Sequence, residues 1–144
     1  MQLRKFLEEK GFTRVPLKKL NTGHYKIQGA INQVGGSFIL DTGASTSCVD
    51  FHGSDRFLLR SEASDIKAAG AGAINMATRI ARRNTFGIGS WKTANMDFVL
   101  FDLSHVNEAL KQGEETRVDG IIGADFLKKF RSVIDYGRNA LYIK

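Results

Sequence analysis

A single cysteine, a single proline and no long apolar run mark this 144-residue chain. One cysteine, Cys48, excludes an intramolecular disulfide framework and any cysteine-rich metal site. In its apolar setting after a turn it reads as a buried, inert thiol. No stretch approaches the roughly 18 apolar residues that cross a bilayer, so no membrane partner is expected. Charges interrupt the N-terminal MQLRKFLEEKGF within a few residues, leaving no signal-peptide core, and the expected location is cytoplasmic. His105 lacks metal-ligand spacing and His24 has no partner to argue for catalysis; no metal and no other cofactor is expected. Acidic charge is also short, at a formal net charge of +6. Much of that bias comes from Arg4, Lys5, Lys10, Arg14, Lys18, Lys19 and Lys26 against Glu8 and Glu9. Such a face can steer an acidic partner. It lacks interleaved aromatics or a nucleic-acid motif, so it reads as solvated, and no nucleic-acid partner is expected.

Glycine, in contrast, is plentiful at 15 residues, which favours tight turns and close backbone approaches in a compact β architecture. The length fits one domain over 1–144, with a helix and arm over 1–22. Gln2 to Lys10 has the spacing of a short amphipathic helix, with Leu3, Phe6 and Leu7 on one stripe and Gly11 as its stop. Thr13 to Leu17 reads as extended, with a turn at Asn21-Thr22-Gly23. Tyr25, Ile27, Gly29 and Ile31 then alternate with polar neighbours, and Ser37 to Leu40 return antiparallel after a turn over Gln33 to Gly36. His52 to Ser64 is irregular, with one helical turn expected near Asp55 to Leu59. Arg79, Arg82 and Arg83 are expected to face solvent, and Met96 to Phe101 to be a buried strand. Leu103 to Gln112 reads as a helix with Leu103, Val106 and Leu110 inward. A final hairpin turns at Gly137-Arg138-Asn139.

The stretch that organises the rest is SFILDTGASTSCVD, Ser37 to Asp50. An apolar run, Phe38-Ile39-Leu40, delivers the carboxylate of Asp41 into a turn made by Thr42 and Gly43. Ala44 and Ser45 leave space beside it for a ligand or a partner chain. Asp-Thr-Gly is also a good turn in its own right, with the Asp side chain capping its own backbone. About eighty residues later, VDGIIGADF runs an apolar pair, Ile121-Ile122, into Gly123, and Ala124 to Phe130 has helical spacing at Phe126, Leu127 and Phe130.

These two elements, in this order, resemble the active-site loop and the hydrophobic-hydrophobic-Gly element of the aspartic peptidases. The likeness spans roughly Lys26 to Lys144. It is strongest to the single-domain, retroviral-type (retropepsin-like) branch found in bacteria. The resemblance implies an all-β fold with short helices: a single-domain acid-protease-like closed β-barrel, one lobe of a two-fold dimer. It implies an aspartic endopeptidase in which Asp41 is catalytic and Thr42, Gly43, Ala44 and Ser45 form the active-site loop. Ile121, Ile122 and Gly123 would support that loop from beneath. A hairpin between Ile66 and Ala81, small at its middle, occupies the place of the flap, with Ala69, Gly70, Ala71 and Gly72 covering an extended polypeptide substrate.

Three departures stand out. The glycine tip of the flap is only partly present, and no tyrosine lies between Asp41 and Tyr136. Retroviral enzymes carry an arginine after the hydrophobic-Gly pair that braces the dimer; Ala124 stands here, so the bracing contact must differ. Only one Asp-Thr-Gly is present, and Asp119, Asp125 and Asp135 do not make a second. The chemistry needs two carboxylates sharing a proton, so a homodimer pairing two Asp41 residues is expected. The alternative is a catalytically inactive peptide- or protein-binding module with the same fold.

Overall fold

The computed structural model describes residues 1–64, 68–70, 73–76 and 78–144, with side chains described outside 65–77. In chain order the elements are α1 (Leu3–Glu9), β1 (Thr13–Pro16), β2 (Lys18–Lys19), β3 (Tyr25–Ile31), β4 (Val34–Leu40) and β5 (Cys48–Asp50). Next come β6 (Ser61–Ala63), β7 (Ala68–Gly70), β8 (Ala73–Met76), β9 (Arg79–Ile88) and β10 (Trp91–Phe101). The last are α2 (Ser104–Gln112), β11 (Gly120–Ile122), α3 (Ala124–Lys129), β12 (Val133–Asp135) and β13 (Ala140–Ile143). The structure is mostly β, with few and short helices. No helix among the described residues is long and apolar enough to cross a membrane.

Six strands close a barrel in the order β3-β4-β11-β5-β10-β9, and β9 returns to β3 through Ala30↔Gly87 and Ile31↔Phe86. Closure leaves the barrel strands without a free edge over those pairings. The β3–β4 hairpin is fully paired from Tyr25↔Leu40 to Ile31↔Val34. Its turn is therefore the two residues Asn32 and Gln33, with φ of 49° and 71°, and not the longer turn over Gln33 to Gly36 that the glycines suggested. Two left-handed residues give the twist a two-residue hairpin needs. Asn32 is suited to that conformation and does more: its Nδ2 donates to Phe57 O at 2.9 Å and to Asn84 Oδ1 at 3.0 Å. The buried Asn84 amide in turn donates to Ala81 O at 3.0 Å, so the barrel seam is pinned by side-chain amides.

Alternation along β3 places Ile27 and Ile31 in the interior, where Phe38, Phe57, Phe86, Phe98 and Phe126 meet. Phe86 is the hub. Its ring stands edge-to-face against Phe38 at 5.6 Å, Phe98 at 5.6 Å and Phe126 at 5.7 Å between centroids, the geometry the aromatic quadrupole prefers. A second cluster lies under α2, where Leu103 and Leu110 are fully buried and Val106 packs at the margin, as the helical spacing indicated. The strands β1, β13 and β12 form a separate three-stranded sheet. Val15, Leu141 and Ile143 join the barrel core from this sheet, while Tyr142 and Ala140 pack with Leu7 of α1.

Three local expectations are corrected. Of the α1 stripe only Leu7 is buried; Leu3 and Phe6 remain 43% and 47% exposed. A helix of seven residues lies on the sheet through one anchor rather than along a whole face. The helical turn expected near Asp55 to Leu59 is instead a 3-10 turn at Phe51–Gly53 followed by non-helical turns. The buried strand expected at Met96 is longer, beginning at Trp91, because its outer half pairs with β9 as an exposed ribbon. Arg79, Arg82 and Arg83 face solvent as expected.

Replacing Phe86 by alanine empties the centre of the aromatic cluster. Phe86→Ala is expected to lower unfolding stability by about 3–5 kcal/mol, measured by urea denaturation, whereas Phe6→Ala on the exposed side of α1 stays within about 0.5 kcal/mol.

Candidate active site

Asp41 owes its position to two parallel strands that end side by side. β4 and β11 pair with Leu40 opposite Ile122; one chain then runs into Asp41 and the other into Gly123. Asp41 N–H donates to Ile122 O at 2.9 Å, which fixes the residue that follows the strand. The chain then turns: Ala44 N–H donates to Asp41 O at 3.1 Å, and Gly43 N–H donates to Asp41 Oδ1 at 2.9 Å. The self-capping turn that Asp-Thr-Gly makes in any protein is thus present, and it leaves Asp41 Oδ2 outside that bond.

The far side of the loop is held from beneath. Ala124 N–H donates to Ala44 O at 2.7 Å. A Cβ on Gly123 would lie 2.6 Å from Ala44 O and 3.2 Å from Thr46 O, so the two backbones cross too closely for any side chain there. Ser47, fully buried, receives the Gly123 N–H on its hydroxyl at 2.9 Å and donates that hydroxyl to Asp125 Oδ1 at 2.7 Å. Ser47 N–H donates to the same carboxylate oxygen at 2.9 Å. Asp125 lies in the first turn of α3, where the helix dipole favours a negative charge.

Within this frame Asp41, Thr42, Gly43 and Ser45 are exposed and Ala44 is half-buried. Ile121, Ile122 and Gly123 are buried directly beneath them. The Asp41 loop and the Ile121-Ile122-Gly123 element, read from two separate stretches of sequence, therefore come together. Neither the hollow of about 470 Å³ beside β1 nor that of about 420 Å³ beside Phe86 and Thr93 includes Asp41. The loop presents its carboxylate on an open surface.

Nearby carboxylates have other engagements. Asp119 accepts Ser37 N–H at 2.9 Å and pairs with Arg56 at 2.9 Å, at the end of β11 opposite Gly123. Asp50, also at that end, is 4% exposed and reaches Arg117 at 3.3 Å through Oδ2. Asp125 is taken by Ser47. No group of three His, Cys, Asp or Glu side chains among the described residues is placed to hold a metal ion.

β7 and β8 pair antiparallel, with Ala68 opposite Met76 and Gly70 opposite Ala73. Ala69 and Gly70 thus belong to a hairpin at the expected place in the chain, while Ala71 and Gly72 lie outside the described residues. Ser47, Asp125 and the Arg56–Asp119 pair were not singled out from sequence. The one available signal was a serine with no apolar role in a buried β-prone run.

A family profile described as "Aspartyl protease" matches residues 27–126. The chain belongs to the aspartyl protease family. That match begins in β3 and ends in α3, and so contains both the Asp41 loop and the element that crosses beneath it. Among solved structures, the retropepsin-like aspartic protease from Rickettsia conorii superposes with a TM-score of 0.56 at 18% identity, over 92% of this chain and 90% of that one. The retroviral protease-like domain of Ddi1 from Leishmania major gives 0.55 at 21% identity, over 83% and 86%. The EIAV protease, solved with the inhibitor HBY-793, gives 0.54 at 20% identity, over 72% and 85%. The fold of this family member is therefore retropepsin-like. No curated protein matches it by sequence.

Cys48 sits at the start of β5 behind the loop, and burial pushes its thiol up to about 12. At pH 8 the folded protein is then expected to react with iodoacetamide about a thousandfold more slowly than the urea-unfolded chain. Mass spectrometry of alkylated protein, with and without urea, measures this.

Proposed function

We propose that two copies of this chain form an aspartic endopeptidase, with one Asp41 from each flanking a shared water. The observation that supports the reading is a braced, exposed Asp-Thr-Gly loop that offers one carboxylate on an open surface. Like charges a few ångströms apart do not both ionise, so the pair holds one proton over a range of pH. The ionised carboxylate draws a proton from the water as it attacks the peptide carbonyl. The protonated one donates a hydrogen bond to the carbonyl oxygen and lowers the cost of its developing charge.

Likeness to the retropepsin-like family supplies the roles of the other residues in this reading. Thr42 is exposed next to Asp41; it reaches across the two-fold axis to the partner's loop. Gly43 brings backbone close to the water, and Ala44 and Ser45 line the cleft. Ala69, Gly70, Ala71 and Gly72 cover the substrate, which binds as an extended polypeptide through backbone hydrogen bonds. Ile121, Ile122 and Gly123 hold the loop at its height.

Sedimentation of the purified chain, paired with digestion of an unfolded protein, tests this reading. The expected result is a reversible dimer whose activity follows a bell-shaped pH profile and falls about a thousandfold or more in Asp41→Asn. A monomer at high micromolar concentration that cleaves nothing identifies a binding module instead.

A further inference from the structure

The geometry points to Asp125 and Ser47 as positioning residues that finish the Asp41 loop inside a single protomer, before any partner arrives. This rests on the reading of Asp41 given above and says how its loop is held.

The bonds that hold the loop to β11 and α3 run within one chain. Asp41 N–H goes to Ile122 O at 2.9 Å, and Ala124 N–H goes to Ala44 O at 2.7 Å. Between these two the buried Ser47 hydroxyl is a relay. It accepts from Gly123 N–H at 2.9 Å and can do so in a fixed orientation only if its own proton has an acceptor, which Asp125 Oδ1 supplies at 2.7 Å. The same oxygen takes Ser47 N–H at 2.9 Å, so one carboxylate oxygen satisfies two donors of a fully buried residue. Withdrawing it leaves a buried amide and a buried hydroxyl without a partner, a situation folded proteins avoid. Neighbouring Ala124 carries no polar side chain and contributes its N–H alone. Because an acceptor is what Ser47 needs, an amide oxygen at position 125 serves as well as a carboxylate, and removal of both oxygens does not.

Two readouts test this on the full chain. Amide hydrogen exchange over residues 41–47, read across a dilution series spanning monomer and dimer, is expected to show protection in the wild type that does not change with concentration. Ser47→Ala and Asp125→Ala are expected to exchange there at least about tenfold faster, with residues 140–143 unchanged as a check on folding. Asp125→Asn stays at the wild-type rate. In steady-state digestion the two alanine variants lose about tenfold or more in kcat with KM within about twofold, because a displaced loop misplaces the reacting carboxylate without remaking the cleft; Asp125→Asn restores kcat. Wild-type protection that appears only on dimerisation overturns the inference, as does unchanged exchange in both alanine variants. An Asp125→Asn variant as damaged as Asp125→Ala overturns the acceptor role. A wild type that cleaves nothing, or an Asp41→Asn variant that still cleaves, refutes the enzymatic reading instead, and the exchange measurement still decides whether the relay exists.

Discussion

Where the Ala44 carbonyl meets the Gly123–Ala124 peptide, two stretches of chain eighty residues apart touch through backbone alone. The Ala124 N–H lies 2.7 Å from that carbonyl, and a Cβ on Gly123 would lie 2.6 Å from it. Such an approach is available to glycine and to no other residue. It requires β4 and β11 to be parallel neighbours in one register, because a one-residue slip would turn Ile39 and Ile121 to the wrong faces. The barrel, its aromatic interior and the hairpin turn at Asn32–Gln33 can be understood as what holds that register.

Energetically the burden is carried by the interior. Phe38 on β4 and Phe126 on α3 both pack on Phe86, so the two segments that carry the loop and its support share one hydrophobic anchor. Polar groups then set the fine position. Arg56 and Asp119 tie the far end of β11 to Ser37 at the middle of β4, and Ser47 with Asp125 ties the near end to the loop. The Asp41 end of the strand pair is thus restrained from both directions while Asp41 itself stays exposed.

The amino-acid sequence disclosed the parts of this arrangement that depend on residue type at short range. Asp41-Thr42-Gly43 announced a turn with a carboxylate, Ile121-Ile122-Gly123 an apolar pair running into a glycine, and Tyr25 to Ile31 a half-buried strand by its alternation. The spacing of Leu103, Val106 and Leu110 gave α2. What it hid were contacts made at long range. The hairpin turn was misplaced because Gly35 and Gly36 look like turn residues. Gly36 instead lies beside Phe57 and Asp119, where a Cβ would meet them at 2.7 and 2.9 Å. Leu3 and Phe6 have helical spacing but no surface to cover them. Ser47 and Asp125 are separated by 78 positions, and nothing local in either segment announces the other.

On the proposed reading a protomer that presents one acidic group to solvent makes catalysis a property of the pair, and that dependence can be counted. Wild-type protein mixed with an equal amount of Asp41→Asn protein, and given time to exchange subunits, contains pairs with two, one or no carboxylates. If both are needed, activity falls to about a quarter of that of wild type at the same total concentration, following the square of the wild-type fraction. Activity that falls only to a half, in direct proportion to the wild-type chain present, contradicts the shared site.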